Sequence, residues 1–314
     1  MIAQGLTMMK ENTQNTKNSA ALSSVIAAVG LTTFKIIIGV LTGSLGILAE
    51  AAHSGLDLVA AVMTWFAVHV ADKPADPEHP FGHGKAENIS ALFETLLLLI
   101  TSVWIIYEAV QRLMAPKVEV EVTIWSFLVM GTSIVVDFSR SRMLLKAAKE
   151  HNSQALEADA LHFSTDIWSS AVVILGLVCV WVGMNFPAWA FLEKADAIAA
   201  LAVAVIVIFV SGELGVRSIQ ALLDAAPKND EHKKIIETAS AIPGVMDVHA
   251  VRIRPSGAVW FVDMHITVDG KKTVNETHAL TEKIEKAVQK ILPKSDVTVH
   301  VEPGEKTKKA KQKA

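Results

Sequence analysis

Cysteine is nearly absent from this chain of 314 residues, with Cys179 alone inside an apolar run. An internal disulfide and a CxxC metal site are both excluded, so any metal chemistry has to come from His, Asp and Glu. An excess of one charge is missing too: 29 Lys and Arg stand against 32 Asp and Glu, for a net charge of -3. Nucleic-acid binders carry a broad basic field, and this chain does not. A phosphate-binding loop is also lacking. Gly82-His83-Gly84-Lys85-Ala86 imitates the end of one but has neither the GxxxxGK[ST] spacing nor the hydroxyl that would hold magnesium, so ATP is not used by that route. No cleavable signal peptide is expected, because Met1 to Lys17 is polar and the first apolar stretch is too long for a signal core.

Apolar sequence, in contrast, is abundant. Hydrophobic residues make up 51% of the chain and the mean hydropathy is +0.39, more than an ordinary soluble domain carries. The excess lies between Ala20 and Leu223, whereas the sequence after Pro227 mixes charge with alternation. Crossing about 30 Å of hydrocarbon takes about 20 helical residues. Six stretches are long enough, at 21-43, 45-71, 86-113, 120-147, 155-183 and 195-222. The third is the most continuous, with Ala91 to Val110 interrupted only by Glu94, Thr95, Thr101, Ser102 and Glu108. Lys and Arg concentrate before the first stretch, after the second and at the end of the fourth, which places both termini on the cytoplasmic side.

The later part reads as a small α+β unit. Helices are expected over Glu231 to Ala241 and Val274 to Ile291, and strands over Val245 to Arg254, Val259 to Val268 and Val297 to Val301. The expected organisation is a polar tail at 1-19, a six-helix membrane domain at 20-225, a soluble domain at 226-303 and a Lys-rich tail at 304-314. Both tails are expected to be disordered.

Two copies of one pattern stand inside the apolar stretches: His53-Ser54-Gly55-Leu56-Asp57 and His162-Phe163-Ser164-Thr165-Asp166. On a helix, residues four apart share a face. Two such helices packed together would offer two imidazoles and two carboxylates to one centre, a tetrahedral set suited to zinc. Ionisable groups in hydrocarbon cost several kcal/mol, about 2.5 to 3.5 for Asp on insertion scales, and survive where they face a cavity or a bound ion. Cobalt, cadmium, iron and manganese remain open, because the affinity order alone does not set selectivity. Imidazole binds metal only when neutral, so protons compete with the metal near neutral pH.

Two further groups follow. The loop Asp76-Pro77-Glu78-His79-Pro80-Phe81-Gly82-His83 offers Asp76, His79 and His83 as three ligands. In the soluble domain, His249, His265, His278 and His300 are spread over several elements. Alternation puts Thr298, His300 and Glu302 on one face of the last strand and Val297, Val299 and Val301 on the other. His265 shares a strand face with Asp263, and the three strand histidines, His249, His265 and His300, can converge with Glu302 on one sheet face. His69, His151 and His232 have no partners by spacing and are given no role.

Taken together, GSLGILAEAAHSGLD, DPEHPFGHGKAEN, DALHFSTD and the Leu-Leu-Asp ending at Asp224 resemble the cation diffusion facilitator family of divalent-metal/proton antiporters, from about Ala20 to Pro303. The resemblance implies a homodimer in the lipid bilayer, six transmembrane helices per protomer and a cytoplasmic metallochaperone-like αββαβ domain. It implies export of Zn2+ from the cytoplasm against protons by alternating access, through His53, Asp57, His162 and Asp166. It also implies a loop metal site at Asp76, His79 and His83, and a two-zinc cytoplasmic site from His249, His265, His278, His300 and Glu302. Lys85 and Asp224 match a charge pair that locks the protomers together. His53 stands where some bacterial members have Asp, which resembles the zinc-selective members; Glu302 stands where relatives often have Asp. A bacterial inner membrane is the expected location. Two other readings are weighed: a membrane-anchored metal sensor or scaffold without transport, and a membrane metallohydrolase, which lacks a spare general base beside either pair.

Overall fold

The computed structural model describes residues 2–43, 45–114, 124–185, 195–226 and 230–304. The chain forms two compact units, Met1–Ile219 and Gln220–Ala314. Helices α1 (Ile2–Thr42), α2 (Leu45–Ala71), α3 (Lys85–Met114), α4 (Ile124–His151), α5 (Gln154–Asn185) and α6 (Ala195–Leu222) follow in order. Each of the six apolar stretches thus holds a helix over its described residues. Among the described residues, four segments are long and apolar enough to cross a bilayer: Thr16–Thr42, Glu50–Ala71, Lys85–Gln111 and Ala200–Leu222. The other two helices carry charge inward instead, with Asp137 and Arg140 on α4 and Asp159 and His162 on α5 all buried.

One expectation is corrected at the N-terminus. The tail at 1-19 is not disordered along its length, because α1 is helical from Ile2 onward. Ala3, Leu6, Met8, Met9, Lys10 and Glu11 are good helix formers, and a helix already nucleated by an apolar segment extends at little cost. The Lys-rich stretch at 305–314 lies outside the described residues.

Small residues let the first unit pack closely. Ala20 and Ala21 of α1, Val68 of α2, Leu144, Ala147 and Ala148 of α4, and Ala155, Leu156, Ala160 and Phe163 of α5 form one buried cluster. Helices approach when the contact side chains are short, and dispersion then holds them. Helix α6 joins through Leu214, packed with Ala91 and Ala158. A Cβ at Gly215 would lie 2.8 Å from the Thr95 side chain, so glycine permits this approach of α6 to α3. Leu41, Phe66, Trp104 and Phe209 are exposed on the outside, a surface that suits lipid.

In the second unit, helices α7 (Glu231–Ser240) and α8 (Val274–Ile291) accompany a three-stranded sheet of β1 (Asp247–Ser256), β2 (Val259–Asp269) and β3 (Ser295–Gly304). The strand order is β1-β2-β3, with β1 antiparallel to β2 and β2 parallel to β3. A parallel pair needs a crossover, which α8 supplies. Val262, Met264, Ile266 and Val268 alternate along β2 and pack against Ile235, Leu280, Ile284 and Val288 of the helices. The intervening residues of β2, Asp263, His265 and Thr267, therefore lie on the other face.

Helix α8 starts with a reciprocal cap. Thr273 Oγ1 accepts from the Glu276 backbone amide while the Glu276 carboxylate accepts from the Thr273 amide. That exchange satisfies two amides left without partners at a helix start. Thr273→Ala is expected to destabilise the isolated 226–304 fragment by about 1 kcal/mol, read as a lower urea midpoint with an unchanged slope.

Candidate metal centres

The two HxxxD patterns meet. His53 and Asp57 lie on α2, His162 and Asp166 on α5, and the helices touch. His162 Nε2 is 3.1 Å from Asp57 Oδ1 and 3.6 Å from Asp166 Oδ2. His53 Nε2 lies 3.9 Å from Asp57 Oδ1 and 4.0 Å from Asp166 Oδ1. Ligands held about 2.0 Å from a tetrahedral ion are about 3.3 Å from one another. His53, Asp57 and Asp166 each offer a donor atom within 4.8 Å of the others, while His162 lies against both carboxylates but does not join that group as the side chains stand. Asp57 and His162 are buried and the other two are half-buried, so the group is open on the His53 side.

The loop triad forms as expected. His79 Nδ1 is 3.1 Å from Asp76 Oδ1, His83 Nε2 is 3.4 Å from Asp76 Oδ2, and the two rings lie 4.3 Å apart. The turn makes itself: the His79 amide donates to the Asp76 carbonyl and the Gly82 amide to the His79 carbonyl. Gly82 sits at φ 75, in the left-handed region open to glycine. The His79 amide also donates to the Asp76 carboxylate, which is the first cause holding that carboxyl below its ordinary value. Asp76 is therefore ionised whenever the imidazoles are neutral enough to bind a metal.

On the sheet, register does the assembling. His249 pairs with His265 across β1 and β2, and His265 pairs with His300 across β2 and β3, so three imidazoles form a row. Glu302 reaches two of them: Oε1 is 3.1 Å from His265 Nδ1 and Oε2 is 3.3 Å from His249 Nε2. The contact from His265 is the first cause holding the Glu302 carboxyl low. Its length, which separates it from Asp, lets the one carboxylate address two rings. His300 lies tilted beside His265 with ring centres 4.7 Å apart. His278 stands apart: it lies on α8, is exposed, and pairs with Glu282 one turn on at 3.6 Å. Among the described residues, His249, His265 and Glu302 have donor atoms close enough to share an ion, and neither His300 nor His278 joins them.

Residues 21–223 match the cation efflux transmembrane domain, and residues 227–304 match the cation efflux protein cytoplasmic domain. The chain belongs to the cation efflux family. Membership makes it an integral membrane protein of cation transport. A cation-efflux pump FieF of Yersinia enterocolitica is 31% identical over 289 residues, covering 91% of this chain and 92% of the relative. One of Cronobacter sakazakii is 31% identical over 290 residues, with 90% and 92% covered. Among solved structures, a nickel form of the MamM CTD is 30% identical and covers 24% of this chain and 96% of its own, at a TM-score of 0.23.

Around the α2–α5 group of this cation efflux protein lie buried charges that spacing did not single out. Arg140 of α4 donates to Ser24 at 3.0 Å, pairs with Asp137 at 3.4 Å and covers the Phe163 ring at 3.5 Å. Ser24 donates on to Asp159 at 3.2 Å. Lys35 of α1 donates to Ser54 at 2.7 Å and meets Glu50 at 3.3 Å. Thr64 donates to Glu94, which is fully buried. Apart from the Asp137–Arg140 pair on α4, these contacts join residues of different helices. The signal available was a lone charge in an apolar stretch, and Glu94 and Lys35 both carried it.

The histidines without spacing partners have local ones. His69 stacks on Trp65, His151 meets Thr16 at 3.1 Å and His232 meets the Val251 carbonyl at 3.2 Å. Lys85 begins α3. In the second unit Asp224 takes a positive φ of 57 and pairs with Arg254 at 3.3 Å, a partner not foreseen. For the sheet group, His265→Ala and Glu302→Gln should each weaken zinc binding to the 226–304 fragment on the order of ten- to a hundredfold, measured by calorimetry; unchanged affinity would remove the sheet as a metal site.

Proposed function

We propose that this cation efflux protein exports Zn2+ from the cytoplasm in exchange for protons, by alternating access of the His53, Asp57, His162 and Asp166 group. The gathering of His53, Asp57 and Asp166 around one point, with His162 against both carboxylates, supports this above all. A four-ligand shell has no open position for a reactive water, so transport suits it and hydrolysis does not. Two imidazoles in the shell favour a borderline-soft ion, and zinc is chosen ahead of cadmium, iron, manganese and cobalt on that ground. Protons are the exchange partner because imidazole has to lose one to take the metal.

The rest of the reading follows the family. All six helices span the membrane, both termini are cytoplasmic, and the membrane is a bacterial inner membrane, as the enterobacterial relatives suggest. The chain works as a homodimer, for which the cytoplasmic domain and a Lys85–Asp224 lock provide the contacts. The loop triad and the sheet cluster bind the same ion on the cytoplasmic side and tie dimer stability to its supply.

Purified protein in sealed vesicles with an enclosed zinc dye and an imposed pH gradient tests the proposal. Zinc flux should follow the gradient and fall to background in Asp57→Ala and Asp166→Ala. Flux indifferent to both variants would defeat the transport site. Flux that ignores the gradient would defeat the exchange alone.

A further inference from the structure

At the end of the helical unit that carries the metal loop, one buried lysine joins both feet of that loop. Lys17 of α1 lies 3.0 Å from Asp72, directly after α2, and pairs with Glu87 in the first turn of α3. Lys17 is 4% exposed and Glu87 1%, so the ammonium is withdrawn from water with two carboxylates on it. Ser153, between α4 and α5, donates to the other Glu87 oxygen. Asn88 donates to Gln154 at 2.7 Å alongside. The carboxylates on both sides of the α2–α3 junction thus close on a single cation, with Ser153 of the α4–α5 junction bonded to one of them, and none of these residues belongs to the three ligand groups.

We propose that Lys17 is a positioning residue for the loop metal site, setting the distance between Asp76 and His83. The argument rests on the reading of Asp76, His79 and His83 as a metal site. Asp76 and His79 are three residues apart in one turn, which its own backbone hydrogen bonds fix. Pro74, Pro77 and Pro80 stiffen the same stretch. His83 is different. It lies beyond the turn, just ahead of α3, and its 3.4 Å approach to Asp76 depends on where the loop's two feet stand. Asp72 is four residues before Asp76 and Glu87 four after His83. A cation bonded to both carboxylates holds those feet at a fixed separation, so the site is formed before the metal arrives.

Removing the lysine alone would leave buried carboxylates uncompensated and could unfold the bundle. The informative variant is therefore Lys17→Met with Glu87→Gln, which deletes the tie together with the buried charge, beside Lys17→Arg as the conservative change. Zinc binding to the full chain in detergent, by equilibrium dialysis with radioactive zinc, is compared with that of His83→Ala and Asp57→Ala. The class of site lost in His83→Ala should weaken by about tenfold or more in the double variant. The class lost in Asp57→Ala should be unchanged, and Lys17→Arg should restore the loop class. A lower melting temperature with the loop class at full affinity would overturn the proposal and leave Lys17 a structural tie. If His83→Ala loses no zinc, the loop is not a metal site, and the proposal falls with that reading rather than on its own account.

Discussion

Charge inside apolar helices has to be compensated inside, and the architecture of the helical unit follows from that constraint. Asp57 on α2 has no basic neighbour on its own helix that reaches it more closely than His162 on α5 does, at 3.1 Å. The carboxylate therefore fixes which helix lies opposite. The alanines along α1, α4 and α5 allow the approach, yet small residues specify only that helices can touch, and not at which rotation. Rotation is specified by polar groups that would otherwise be stranded. Arg140 illustrates the same logic one layer behind, where it ties α4 to Ser24 of α1 and, through Ser24, to Asp159 of α5.

The three ligand groups differ in how much compensation they need. The α2–α5 group sits among buried residues, so an ion there replaces interactions that nothing else can supply. The loop and sheet groups border solvent: Asp76 and His79 are exposed, and the ligands on the sheet are half-buried. Water can satisfy those groups when no ion is present. Metal binding there would add stability without being required for folding, as the proposed response to supply needs.

Legibility in the sequence tracks whether partners share an element. The HxxxD pairs were readable because four residues on one helix make one face, and the alternation on β3 was readable because Val297, Val299 and Val301 face the core while His300 and Glu302 do not. The row of His249, His265 and His300 needed cross-strand register, and β1 is irregular between His249 and Arg252, with Ala250 at φ 50. No pattern in β1 alone announces that. His278 entered the expected site through the family resemblance, since spacing says nothing of which side of the sheet a helix covers. Lys17, Lys35, Glu94 and Asp159 stayed unassigned for the converse reason: each finds its partner on a different helix. The polar start of the chain was read as a tail because polarity resembles disorder, whereas helix extension depends on propensity and on an apolar segment already in place.

Charge arithmetic at the α2–α5 group gives the proposed exchange a physical basis. Two carboxylates carry two negative charges. One divalent cation cancels them with both imidazoles neutral, and two protons on the imidazoles cancel them equally. Only the state with neither ion nor protons leaves net charge in a low-dielectric interior, at a cost of several kcal/mol per ion. A group that changes its exposure from one side of a bilayer to the other would pass most readily in either neutral form and least readily empty. Coupling then needs no separate proton-binding residue, because the two histidines whose lone pairs hold the metal are the ones that hold the protons in its place.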